Sequence, residues 1–149
     1  MAEAEIIFVR ENSASLKLPK GLQMDVRLKT GFIEKAKPNF INADSEIYKL
    51  FGADFDSSNY DGHSEISWLM AFYKNSSSMI SDMVIFITKL NHNGQIWLAW
   101  PKKASKVKTD LSDNVVRKIG LEAGLVDVKV VSVNQTWSAL KFVFRTQDR

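Results

Sequence analysis

Residues 66–73 read Ile-Ser-Trp-Leu-Met-Ala-Phe-Tyr, apolar at nearly every position of either parity. A chain buries such a run most readily as a short strand covered on both faces, which requires helices above and below a sheet. The next segment supplies one of them: Ser76 and Ser77 suit a helix N-cap, and Met79, Ile80, Met83, Val84, Ile87 and Leu90 recur at helical spacing up to Gly94. The run 83–87 is also apolar enough to be a strand by itself, so that alternative stays open. Residues 95–100 form a further strand closed by Pro101. Thr109 or Asp110 then caps a helix that turns Leu111, Val115, Ile119 and Leu121 to the core and stops at Gly124. Residues 126–133 and 139–144 alternate, and the link 134–138 is short enough for an antiparallel hairpin.

This order predicts an α/β fold, a compact Rossmann-like mixed sheet ending in an antiparallel hairpin, as one domain over residues 1–149. Upstream, residues 5–9 and 23–29 read as strands, the second because Met24, Val26 and Leu28 alternate with Gln23, Asp25 and Arg27. Residues 31–64 are the least regular stretch: Pro38 breaks the chain, 45–51 suits a short helix and 52–62 is turn-like. That stretch is expected to be an insertion or lid. The four Trp and nine Phe mostly fill the core.

Several chemistries lack their residues. Without cysteine there is no disulfide framework, thiolate nucleophile, Cys zinc site or iron–sulfur cluster. His63 and His92 fall in separate loops with no partner at i+3 or i+4, so no metal site is expected. Asp54, Asp56, Ser58 and Glu65 stand at positions 1, 3, 5 and 12 of a calcium loop. The sixth position, however, is Asn59 rather than glycine, and a strand follows Glu65. A solvated acidic loop explains them better. No Gly-x-Ser-x-Gly elbow occurs, and the segment after Val9 has no glycine before Gly21, so neither a hydrolase site nor a glycine-rich cofactor turn is present. No catalytic residue and no cofactor are assigned.

Charge is the remaining signal. Residues 1–75 carry 9 basic and 11 acidic side chains, and residues 76–149 carry 11 and 6, so the positive charge sits in the second half. Lys102, Lys103, Lys106 and Lys108 follow the carboxyl end of the 95–100 strand, the edge where open α/β sheets bind ligands, and lead to a helix start near Thr109. These lysines with Thr109, and with Trp100 and Tyr73 as lining, are the candidate ligand site. An anion or phosphate-bearing ligand, a protein partner, or nucleic acid are the partners such a loop suits. No aromatic array for base stacking is visible. The start of the chain lacks a basic and apolar leader, and no apolar stretch approaches the roughly 20 residues of a membrane helix, so a cytoplasmic protein without membrane contact is expected.

Four motifs in order, Trp97-Leu-Ala-Trp-Pro-Lys-Lys103, Asp110-Leu-Ser-Asp-Asn-Val-Val-Arg117, Gly124-Leu-Val-Asp-Val-Lys129 and Thr136-Trp-Ser-Ala-Leu140, resemble a bacterial family designated domain of unknown function 3052. The resemblance implies a Rossmann-like fold related to methyltransferases and a cytoplasmic bacterial protein, and brings no activity or cofactor. Where the family carries two acids and a glycine around its Thr-Trp-Ser, this chain has Asn134, Gln135 and Ala139. The expected function is a non-catalytic Rossmann-like binding or regulatory domain with an anion-binding basic loop. A methyltransferase-like enzyme acting on a small molecule and a nucleic-acid-contacting protein are the alternatives.

Overall fold

The computed structural model describes residues 26–32 and 38–149. Its main elements run α1 (Val26–Thr30), β1 (Asn39–Ile41), α2 (Ser45–Phe51), α3 (Phe55–Ser58), β2 (Ile66–Phe72), α4 (Ser76–Lys89), β3 (Leu90–Pro101), α5 (Asp113–Glu122), β4 (Leu125–Ser132) and β5 (Trp137–Phe144). The strands form one sheet in the order β1-β2-β3-β5-β4. β1, β2 and β3 are parallel, and β5 lies antiparallel to both β3 and β4. This is a Rossmann-like mixed α/β sheet ending in the expected hairpin, with the last strand slotted between two earlier ones.

The run at residues 66–73 is buried from both sides because its two parities enter two cores. Leu69, Ala71 and Tyr73 pack with Ile96, Leu98 and Trp100 under α4 and α5. Trp68, Met70 and Phe72 pack with Phe40, Trp97 and Trp137 under α1 and α2. All four tryptophans are buried. On the second face Phe32, Phe40, Phe51 and Trp68 form an aromatic knot with ring centroids 5.1–6.2 Å apart. The Trp68 indole N–H donates to Thr30 O at 2.8 Å, which ties α1 to this core.

From β1 the chain passes over the second face in α2, then meets the free edge of β1, where Asn59 bridges Phe40 in parallel and the Tyr60 N–H donates to Phe40 O at 2.9 Å. It returns under the first face, where Tyr60 packs 6.2 Å from Phe86, to enter β2 on the other side of β1. The sheet therefore has its topological switch point at β1, inside the stretch that reads as irregular.

Three expectations are corrected. Residues 26–30 are helical, not a strand: Val26 and Thr30, four apart, are buried while Leu28 is 55% exposed, so the burial period is helical and the alternation is coincidental. The helix α4 is capped by Asn75, whose side-chain Oδ1 accepts from the Ser78 N–H at 2.9 Å, and it ends at Lys89 rather than Gly94. No strand occupies 83–87. Residues 90–94 instead begin β3, with Leu90 opposite Ile66 and Gln95 opposite Trp68, so the strand carries a long bulge between them. Gly94 is required there, because a Cβ would stand 2.6 Å from Ile66 O. The expected strand at 5–9 lies outside the described residues.

Candidate functional site

The basic loop starts where β3 ends. The Lys102 N–H donates to Thr136 O at 2.7 Å, which continues the β3–β5 ladder past Pro101. A single turn of 3₁₀ helix comes next at Lys103–Ser105, with the Ser105 hydroxyl donating to Lys102 O at 2.6 Å, and Lys106 takes a left-handed conformation at φ 62°. The far end is anchored to the segment that follows β2: the Thr109 hydroxyl donates to Lys74 O at 2.6 Å and accepts from the Leu111 N–H at 3.0 Å. Asp110 accepts from the backbone N–H and the hydroxyl of Ser76 at 2.8 and 2.7 Å, at the first turn of α4. These hydrogen bonds, chiefly the one from the Ser76 hydroxyl, hold the Asp110 carboxyl below the usual aspartate value. Ser112, not Thr109 or Asp110, caps α5, its oxygen accepting from the Val115 N–H at 3.3 Å.

Between this loop, the start of α5 and the β4–β5 hairpin lies a cleft of about 640 Å³. Trp100, Val107, Leu111 and Val130 give it apolar walls, Lys102 and Lys103 make one end basic, and Thr109, Ser112 and Ser138 add hydroxyls. Asp113 lines it as well, in the first turn of α5, where a carboxylate complements the helix dipole. Positive charge is thus concentrated at the β3 end.

Of the seven residues singled out in sequence, Trp100, Lys102, Lys103 and Thr109 line this cleft. Lys106 and Lys108 are on the outside of the loop and do not line it. Tyr73 is buried among the first-face core, and its hydroxyl donates to the Asp82 carboxylate at 2.6 Å. Burial foremost, with that hydrogen bond and the Asp82 charge, raises the Tyr73 pKa far above the usual tyrosine value. It is held as a core hydroxyl rather than presented to a ligand.

Sequence inspection missed Val107, Leu111, Ser112 and Asp113 as lining, and it missed what the hairpin contributes. Val130 and Ser138 reach the cleft from the hairpin, and the register explains how: Ser138 stands opposite Trp100 on β3. Ser132 stands opposite Ser138 on β4, and the Lys102 ammonium donates to the Ser132 hydroxyl at 2.6 Å. An explicit alignment of the hairpin alternation against 95–100 would have brought out these serines.

The remaining polar motifs have local duties. Asp54 caps α3 by accepting from the Ser57 N–H at 3.1 Å, and Glu65 accepts from the Asn91 amide at 2.9 Å. Asp61 accepts from the Ser64 hydroxyl and from the N–H groups of His63 and Ser64, both at 2.8 Å; these bonds, the hydroxyl's foremost, hold its pKa down to about 2. His92 lies in the bulged part of β3, not in a loop, with its ring 6.3 Å from that of Phe144. Among the described residues no group of three metal-ligating side chains comes together, and no helix is long and apolar enough to cross a membrane.

At the carboxyl ends of β1 and β2, Asn42, at φ 59°, donates its side-chain amide to Phe72 O at 3.0 Å. The turn after β1 reads Asn42-Ala-Asp-Ser45, and Asp44 is spent as the N-cap of α2.

The family model described as Protein of unknown function (DUF3052) matches residues 39–146. Among curated proteins none matches the sequence. In solved structures, the chain is similar to a ribosomal protein L11 methylase from Lactobacillus delbrueckii subsp. bulgaricus, with 11% identity, TM-score 0.46, and coverage of 73% of this chain and 58% of that one. It is also similar to a putative type 11 methyltransferase from Sulfolobus solfataricus, with 13% identity, TM-score 0.47, and coverage of 78% and 79%. A methyltransferase from Pyrococcus furiosus gives 15% identity, TM-score 0.43, and coverage of 68% and 59%. Against the first of these and the Pyrococcus protein, the chain spans less than two thirds of the other's length.

Proposed function

Because this chain belongs to the family described as Protein of unknown function (DUF3052), which lends it no chemistry, we propose its function from the site alone: a non-catalytic domain that binds an anionic small molecule in the cleft beyond β3. One observation carries this. Lys102 and Lys103 supply positive charge at the end of a cleft whose Trp100, Leu111 and Val130 walls suit an apolar or planar portion of the same ligand. The cleft lies at the carboxyl end of a parallel strand, where α/β sheets hold ligands. Among the described residues that line it, none is both nucleophilic and paired with a base, which favours binding as the reading.

The strand order supports a second reading, a methyltransferase-like enzyme acting on a small molecule, since such a site would use the carboxyl ends of β1 and β2. Against it stand the Asn42 amide on Phe72 O and a turn with no glycine to let a cofactor approach the backbone. Nucleic-acid contact is the third, through Lys106 and Lys108 on the outside of the loop.

The test is thermal denaturation with inorganic phosphate, nucleotides or S-adenosylhomocysteine, each on the wild-type chain and on the double variant Lys102→Gln, Lys103→Gln. A ligand at about a hundred times its Kd adds about 2.7 kcal/mol, worth about 5–10 °C in a domain of this size. The proposal expects such a shift with phosphate or a nucleotide and its loss in the double variant. A shift given by S-adenosylhomocysteine alone and kept in the double variant would overturn it in favour of the enzyme.

A further inference from the structure

Two lysines from separate segments meet at Ser132, which shares a row with the cleft residues Trp100 and Ser138, and a third lies next to one of them. The Lys102 ammonium donates to the Ser132 hydroxyl at 2.6 Å, and the Lys29 ammonium, from α1, donates to Ser132 O at 3.0 Å. The Lys129 ammonium, from β4, donates to Lys29 O at 2.9 Å. The acceptors of Lys29 and Lys102 are neutral. Among the described residues no carboxylate stands in ion-pair contact with Lys29 or Lys102. Holding like charges this close is unfavourable in itself. The Lys29 pKa is lowered by burial foremost and then by the charges of Lys102 and Lys129. Packing does not require the charge of Lys29 and Lys102, since their ammonium groups cap oxygens that water would serve equally well.

Register carries the cluster to the ligand. Trp100, Ser138 and Ser132 form one row across β3, β5 and β4, and the first two line the cleft. The Lys102 ammonium reaches that row at Ser132. The Lys29 and Lys102 ammonium groups have three hydrogens each and give one to Ser132, so donors remain for a further acceptor. A phosphate group brings a charge near −2 at neutral pH and three strong acceptor oxygens, which matches this cluster better than a single carboxylate does.

We propose that Lys29, Lys102 and Lys129 form the phosphate end of the cleft: a phosphate dianion, free or at the end of a small organic phosphate, sits between the Lys29 and Lys102 ammonium groups and accepts from the Ser132 hydroxyl. An organic portion lies over Trp100 and Val130. This rests on the cleft reading above and adds the class of ligand and two residues, Lys29 and Lys129, outside the basic loop.

The experiment is titration calorimetry of the full chain with inorganic phosphate and with a nucleoside monophosphate, at fixed low salt, with acetate as a singly charged control. Expected results are binding of both phosphates and none of acetate, a loss of tenfold or more in Lys29→Gln, and a smaller loss in Lys129→Gln. Lys29→Arg retains binding, which separates charge from packing, and Lys129→Gln covers the case that Lys29→Gln does not fold. The monophosphate binding more tightly than phosphate identifies the organic ester as the source, and equal affinity identifies the free ion. If Lys102→Gln, Lys103→Gln loses binding while Lys29→Gln and Lys129→Gln keep it, the cleft reading stands and this inference falls. No binding of either phosphate to the wild-type chain overturns both, as does binding of a single-stranded oligonucleotide alone.

Discussion

At the scale of single residues, one polar atom and one missing side chain are informative about the core. The Tyr48 hydroxyl is buried against the second-face aromatics with no hydrogen-bond partner among the described residues, and burial raises its pKa above the usual tyrosine value. Its ring does the packing, 5.3 Å from Phe40 and 5.5 Å from Phe55. Replacing it by Phe keeps the ring and removes the unsatisfied group, so Tyr48→Phe is expected to raise stability by about 1 kcal/mol. Urea denaturation measures this, and a lower midpoint would show that the hydroxyl has a partner in solution. Gly120 acts the other way. It lies inside α5, where glycine costs helix stability, yet a Cβ there would overlap the ring of Phe142 on β5. Gly120→Ala therefore loses about 1–3 kcal/mol through overpacking, against the usual gain for such a change in a helix. An increase in urea midpoint would mean that Phe142 moves aside without cost.

At the scale of elements, the basic loop is held in place by what happens at the start of α4. Asp110 brings a carboxylate to Ser76 from across the loop, where it complements the helix N-terminus as well as closing two hydrogen bonds. Its pKa is depressed in the folded state, so the stability it contributes is present above the ordinary aspartate value of 3.8 and is lost as pH falls through the folded value. Asp110→Asn is expected to lower the melting temperature at pH 7 and to leave it unchanged near pH 2, where wild-type and variant converge. Melting curves between pH 2 and 7 test this, and parallel acid limbs would remove the linkage. Element boundaries also show where sequence patterns mislead. The apolar spacing up to Leu90 does not distinguish the last turn of α4 from the first residue of β3, because Leu90 is buried in either setting. Its pairing with Ile66, set by the neighbouring strand, decides. The alternation at 23–29 fails for the related reason that five residues suffice for one helical turn with Val26 and Thr30 inward.

At the scale of the whole molecule, the last strand is the keystone of the sheet. β5 supplies the ladder partners of both β3 and β4, and its Ala139, Leu140 and Phe142 are buried between the two cores. The cleft exists only after this insertion, since Ser138 and Val130 come from the hairpin. A chain ending at Thr136 leaves β3 with an open edge in the middle of the protein and β4 with no partner strand. It is expected to show no cooperative melt by circular dichroism and to bind none of the ligands that the full chain binds. A sharp transition in the truncated chain would contradict that role for β5.

Much was legible in the order of residues alone: the doubly covered strand at 66–73, the amphipathic stretch after it, the hairpin at the end and the basic loop placed at a strand's carboxyl end. These are local signals, since burial on two faces, helical spacing and turn length are each written within about a dozen residues. The tertiary structure decided the rest. Where β1 lies, and that the switch point falls there, depended on three residues, Asn39–Ile41, too short to announce themselves and recognisable only by pairing with β2. The meeting of Lys29 with Lys102 and Lys129 depended on the packing of α1 against the sheet, across 103 residues between Lys29 and Ser132, a separation over which no periodicity carries information. Burial pattern is a property of neighbours in the chain, whereas a site is a property of neighbours in space.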